Sequence, residues 1–156
     1  MSTVTIGDAF TALESSLNEY INDGVMSTES IEIFDIAIQN DVNFRDLLLG
    51  LPKHHDIHKC IGFISYVLNF VDGKNKAPYL TIMSAYAYEL GDAKEANLFV
   101  QGALTLWEDY SLAQLIKRMI IAGWSSDSLV SMRNELDPKV RERVLEESSE
   151  IIQVNA

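Results

Sequence analysis

Cysteine, proline, glycine and basic side chains are all scarce in this 156-residue chain, which holds one, three, eight and twelve of them. A lone cysteine, Cys60, closes no disulfide within the chain, and the first twenty residues combine acids and polar side chains where a secretory leader needs a basic start and an apolar run. The expectation is a cytoplasmic protein without covalent staples. No stretch reaches the about 18 consecutive apolar residues of a membrane span. The longest candidate, residues 57–71, contains Lys59, Ser65 and Asn69, so no membrane role is expected. Twelve basic against twenty-three acidic side chains leave a net charge of −11. Affinity for nucleic acid comes mostly from Lys and Arg displacing counterions, so direct nucleic-acid binding is excluded as an expectation and a charged partner is expected to be basic. The chain contains no phosphate loop, dinucleotide glycine fingerprint, nucleophile elbow or helical zinc-protease pair, and no cofactor is expected.

What is present is apolar: 47% of the residues are hydrophobic, and a compact chain of this length buries roughly 68–70% of its unfolded surface. The apolar positions recur at three and four rather than two. Phe10, Leu13, Leu17 and Ile21 make one stripe before Gly24, and Ile31, Phe34 and Ile38 make another after the caps Ser27 or Thr28. Asp41 or Asn43 opens a short third helix carrying Phe44, Leu47 and Leu48, which Gly50 and Pro52 stop. Residues 55–72 are apolar nearly all round, so this helix is expected at the centre of the molecule, together with the repeat-like pair around Gly91. After a polar break at residues 72–76, Pro78 suits the first turn of a helix that runs to Leu90, and the tight Gly91-Asp92 turn joins it to a partner over residues 93–107. Ser111 or Asp109 starts a further helix closed by Gly123. Residues 125–127 cap another over 129–136, and Pro138 reads as the first position of a separate last helix with Val140, Val144 and Leu145 inward. Residues 151–156 lack caps and carry apolar side chains, a segment equally suited to fraying or to docking. The pattern predicts one all-α domain over 1–156, with seven to nine helices packed as antiparallel hairpins and no sheet: acidic helices in 1–50, a central helix and hairpins in 51–124, and C-terminal helices in 125–156.

The run Gly91-Asp92-Ala93-Lys94-Glu95-Ala96, followed by Val100, Ala103, Leu104 and Leu106, resembles the second half of a tetratricopeptide repeat. The glycine makes the turn, and small Ala96 and Ala103 let two helices approach. The first half departs from that pattern, with Leu80, Met83 and Ser84 where the repeat has Trp, Leu and Gly, and Glu108 where a proline is common. A longer run is similar to the helical part of an uncharacterised family of actinobacteria and their phages. It comprises Arg45-Asp46-Leu47-Leu48-Leu49, then Ala77-Pro78-Tyr79-Leu80 through Tyr88-Glu89-Leu90-Gly91-Asp92, Ala103-Leu104, Tyr110-Ser111-Leu112-Ala113 and Ala122-Gly123, within about residues 41–124. The resemblance implies a helical fold and supplies no catalytic residues.

Three constellations carry functional expectations. Residues 54–60 crowd His54, His55 and His58 beside Cys60, and His54 and His58 would share a face one turn apart if the helix already includes His54. Structural zinc takes four ligands and no second Cys or His group follows, so a solvated helix start is the favoured reading and a metal-dependent enzyme the minor one. Cys60 lies among Ile57, Ile61 and Ile64, which favours a buried structural thiol over a nucleophile. Trp107, Trp124 and Tyr110 sit near helix ends, where filling the core outweighs anchoring a partner.

The charge distribution says more. Residues 1–50 hold nine acids (Asp8, Glu14, Glu19, Asp23, Glu29, Glu32, Asp35, Asp41 and Asp46) against Arg45 alone, a net of −8. The remainder is balanced over 51–106 and nets −3 over 107–156. Such a field steers a basic surface or imitates a phosphate backbone. The leading expectation is a non-enzymatic adaptor or regulatory module holding a basic protein through Glu14, Glu19, Glu29, Glu32, Asp35 and the helix grooves. Its alternative is a phage-type inhibitor whose carboxylates occupy the nucleic-acid channel of a host enzyme. A homo-oligomer through an apolar groove is compatible with either.

Overall fold

The computed structural model describes residues 3–154 and, among them, eight α-helices and no strand. The helices are α1 (Ile6–Asp23), α2 (Glu29–Asn40), α3 (Val42–Gly50), α4 (Ile57–Leu68), α5 (Lys76–Glu89), α6 (Ala93–Leu106), α7 (Ser111–Ala122) and α8 (Ser126–Glu146), with 3-10 turns at Leu51–Lys53 and Gly73–Asn75. Local chemistry sets the starts. Thr5 and Asp8 form a reciprocal capping box on α1, Asp41 accepts from the Asn43 amide, and Asp56, Asp92 and Ser125 each accept from the amide three residues on.

Of the elements expected at the centre, the residues 55–72 helix and the pair around Gly91, the most enclosed is α5, the first helix of that pair. Residues 77–79 and 81–88 are all buried, whereas α4 leaves Lys59 and Ser65 in solvent and Tyr66 half-buried. Ala77, Ser84, Ala85 and Ala87 are small enough for helices to approach α5 from several sides. Its large rings are accommodated because each hydroxyl finds an acceptor: Tyr79 donates to Asp35 at 2.9 Å, Tyr86 to the Leu48 carbonyl and Tyr88 to the Trp124 carbonyl. One face of α5 joins a core with α1–α4 built on Leu13, Leu17, Phe34, Phe63 and Ile64. The other meets α6 and α7 at Val100, Ala103, Ala113 and Ile116. The α5–α6 seam is as close as its alanines suggest, since Ala96, Val100 and Ala103 are fully buried and Ser84 Oγ donates across it to the Ala96 carbonyl at 2.6 Å. Gly91 turns the chain between the two helices at φ +82°, a region that costs glycine little.

Pro138 does not open a separate helix but lies inside α8, which runs unbroken from Ser126 to Glu146. Proline lacks the N–H that would bond the carbonyl four residues back. That carbonyl, on Asn134, accepts instead from Lys53 Nζ at 3.3 Å. The end of the chain docks through residue 152. The Glu150 and Ser148 carbonyls accept from the first free amides of α1, on Ile6 and Gly7, at 3.0 and 2.9 Å, and buried Ile152 donates to the Val4 carbonyl at 2.8 Å. This is an isolated antiparallel bridge between Thr5 and Ile151 rather than a sheet. Asn155 and Ala156 lie outside the described residues. No helix among the described residues is long and apolar enough to cross a membrane.

Candidate functional site

The amino-terminal acids divide into two groups. The hairpin of α1 and α2 carries no basic residue, and at its closed end Glu19, Asp23, Glu29 and Glu32 are exposed. Glu19 reaches the start of α2, its Oε1 accepting from the Ser27 amide at 3.4 Å. Val25, 56% exposed, sits in the same turn. Glu29 and Glu32 also lie in the first turn of α2, where free amides favour negative charge.

The other acids are engaged in the fold. Asp35 is half-buried and accepts the Tyr79 hydroxyl; burial pushes its carboxyl pKa up and the hydroxyl only partly offsets this. Glu14 faces α8, its Oε1 3.8 Å from Arg141 Nη1. Asp46 pairs with Arg45 at 3.1 Å, although burial outweighs the guanidinium and its pKa is raised. Asp41 and Asp8 are helix caps, and the Thr5 backbone and side-chain hydrogen bonds hold the Asp8 carboxyl below its ordinary value. Of the five partner-binding acids expected from sequence, the structure therefore gathers Glu19, Glu29 and Glu32 on one corner and assigns Glu14 and Asp35 to packing. Asp23 and Val25 complete that corner. Charge counting alone did not single them out, although their place beside Gly24 puts them in a turn.

The histidines do not converge. Helix α4 begins at Ile57 with Asp56 as its cap, so His54 precedes the helix and shares no helical face with His58. His54 instead places Nε2 2.6 Å from Asp137 Oδ2 on α8. Among the described residues no group of three or more His, Cys, Asp or Glu side chains is placed to hold a metal ion. Cys60 is fully buried, and burial, with Asp56 and Glu89 adding to it, pushes its thiol up to about 12. A thiol held protonated in this way is a poor nucleophile at neutral pH.

A polar cluster that no local motif announces lies between α3, α5 and α8. Asp137, 2% exposed, takes His54 on one side and Arg141 Nε at 3.3 Å on the other. Its Oδ1 packs so closely on α3 that a Cβ at Gly50 would lie 2.1 Å away. One turn earlier on α8, Arg133 Nη1 donates to both carboxylate oxygens of Glu89, at 2.7 and 2.8 Å. Beside these groups lies an apolar cleft of about 70 Å3 lined by Leu49, Ala85, Tyr86, Leu129, Met132 and Leu136 among others. Only the i, i+4 pair of Asp137 and Arg141 had a sequence signal. His54 and Asp137 are 83 positions apart.

The aromatic residues split. Trp107 is half-buried and stacks on Tyr110 at 4.6 Å with Lys74 Nζ 4.2 Å from its ring centre, while Trp124 is 48% exposed. Burial raises the Tyr110 hydroxyl pKa despite the neighbouring Arg45. Comparison with protein-family models, with curated proteins and with solved structures finds no match to this chain.

Proposed function

We propose that the chain is a non-catalytic protein-binding module of the cytoplasm that holds a basic partner on the closed end of its α1–α2 hairpin. The observation that carries this reading is the exposure of Glu19, Asp23, Glu29 and Glu32 at one end of a hairpin without one basic side chain, with exposed Val25 in its turn. Carboxylates in such a group attract and orient a cationic surface, and an apolar side chain among them gives the contact a dry centre. The remaining acids do not contribute to this surface, because packing or capping engages them. Resemblance to the actinobacterial and phage family over residues 41–124 belongs to the same reading, with the scaffold common to that family and the acidic hairpin particular to this chain.

The test is affinity capture from the source cell with the native chain and with a Glu19→Lys, Glu29→Lys, Glu32→Lys variant whose helix content is checked by circular dichroism. A partner held by the native chain and lost by the folded variant supports the reading. Equal retention by both refutes it. Adding DNA or RNA then separates an adaptor from an inhibitor that imitates nucleic acid. An adaptor's partner binds nucleic acid and this chain together, whereas an inhibited enzyme releases one for the other.

A further inference from the structure

We propose that residues 126–136, the amino-terminal half of α8, form a detachable strap over the groove between α3 and α5, hinged at Gly123 and at Pro138. This device is independent of what the acidic corner binds. The two halves of α8 are held differently. Residues 126–136 include no buried apolar side chain: Leu129 and Val130 are only half-buried, while the Arg133 side chain is 11% exposed against Glu89. Beyond them Asp137, Val140 and Val144 are buried, the two valines within the main core. The strap also fails to fill the space beneath it, since the 70 Å3 cleft lies between its Leu129, Met132 and Leu136 and the Leu49, Ala85 and Tyr86 side of the groove.

Each end of the strap has a reason to bend. Gly123 holds φ +69°, where a side chain is disfavoured, and ends α7. Pro138 interrupts the helical hydrogen bonds, and Lys53 already occupies the Asn134 carbonyl that a regular helix would use. Immediately at this second hinge, Asp137 is clamped by His54, Arg141 and the bare backbone of Gly50, so motion of residues 126–136 stops there. The side-chain tie on the strap is Arg133 to Glu89, with Lys53 on the Asn134 carbonyl near its second hinge and Tyr88 on the Trp124 carbonyl beside its first. Segments with few buried apolar side chains open at lower free energy than the core they cover. Opening would uncover Leu49, Ala85, Tyr86 and the Glu89 carboxylate, an apolar strip with one negative end.

Native-state amide hydrogen exchange of the full chain tests this directly. Residues 126–136 are expected to exchange at least about tenfold faster than α5 and residues 140–144, through an opening that leaves those protected. Arg133→Gln is expected to speed exchange over 126–136 by about a further tenfold and leave α5 unchanged. The exchanged pair Arg133→Glu with Glu89→Arg restores part of that protection. Exchange of 126–136 at the rate of α5 in the native chain overturns the proposal whatever the variants do. So does an Arg133→Gln effect spread evenly over both helices.

Discussion

Asp35 on α2 and Tyr79 on α5 are joined by a hydrogen bond of 2.9 Å, which turns one of the nine amino-terminal acids from a surface charge into a tie between two helices. Truncating Asp35 to alanine leaves a buried hydroxyl without its acceptor, an effect of about 1–3 kcal/mol that thermal or urea unfolding measures. The pH dependence has a defined sign. Burial raises the folded-state pKa of this carboxyl, so its ionised form is disfavoured in the fold and its contribution declines as pH rises from the unfolded value through the raised one. The stability difference between native chain and Asp35→Asn should therefore favour the native chain more at pH 3 than at pH 7.

Gly50 is required by Asp137 rather than by its own backbone, which is ordinary helix. A methyl group there would sit 2.1 Å from Oδ1, with His54 and Arg141 preventing the carboxylate from withdrawing. Gly50→Ala should cost about 1–3 kcal/mol, as for overpacking elsewhere. Combining it with Asp137→Ala should cost less than the sum of the two single changes, which a double-mutant cycle reads.

Cys60 is fully buried with its thiol raised to about 12. At pH 8 a thiol reagent should modify the native protein only as fast as it unfolds, and the denatured protein within the mixing time. Rapid stoichiometric labelling of the native chain would place this side chain elsewhere.

The α5–α6 seam depends on small residues. Ala96 is fully buried where the Ser84 hydroxyl bonds its carbonyl. Ala96→Leu should push the helices apart and cost about 1–3 kcal/mol in unfolding measurements, whereas Leu98→Ala, on the exposed face of the same helix, should cost little.

Element existence was legible because apolar residues recur at three and four and because Asp41 and Ser125 announce their helices in side-chain chemistry, whereas the caps Thr5, Asp56 and Asp92 emerge only in the structure. That α5 is more enclosed than the residues 55–72 helix was not legible, because mean apolarity is not burial. Helix α5 is enclosed through alanine and serine, which permit approach, and through tyrosines whose polar ends are satisfied by partners far along the chain. Pro138 misled because a proline usually marks a first turn, and the compensating donor, Lys53, lies 81 residues from the carbonyl it satisfies. The acidic corner was half legible. A count of charges finds the hairpin, but only packing separates Glu19, Glu29 and Glu32 from Asp35, which holds a tyrosine, and from Glu14, which faces an arginine.

The most direct test of that corner as the recognition surface is mapping amide chemical shifts of the full chain while the captured basic partner is titrated in at low and at high salt. Perturbations should centre on Glu19, Asp23, Val25, Glu29 and Glu32 and weaken as salt rises. Perturbations centred instead on the exposed Ile121 and Trp124 at the end of α7, and indifferent to salt, would contradict the account.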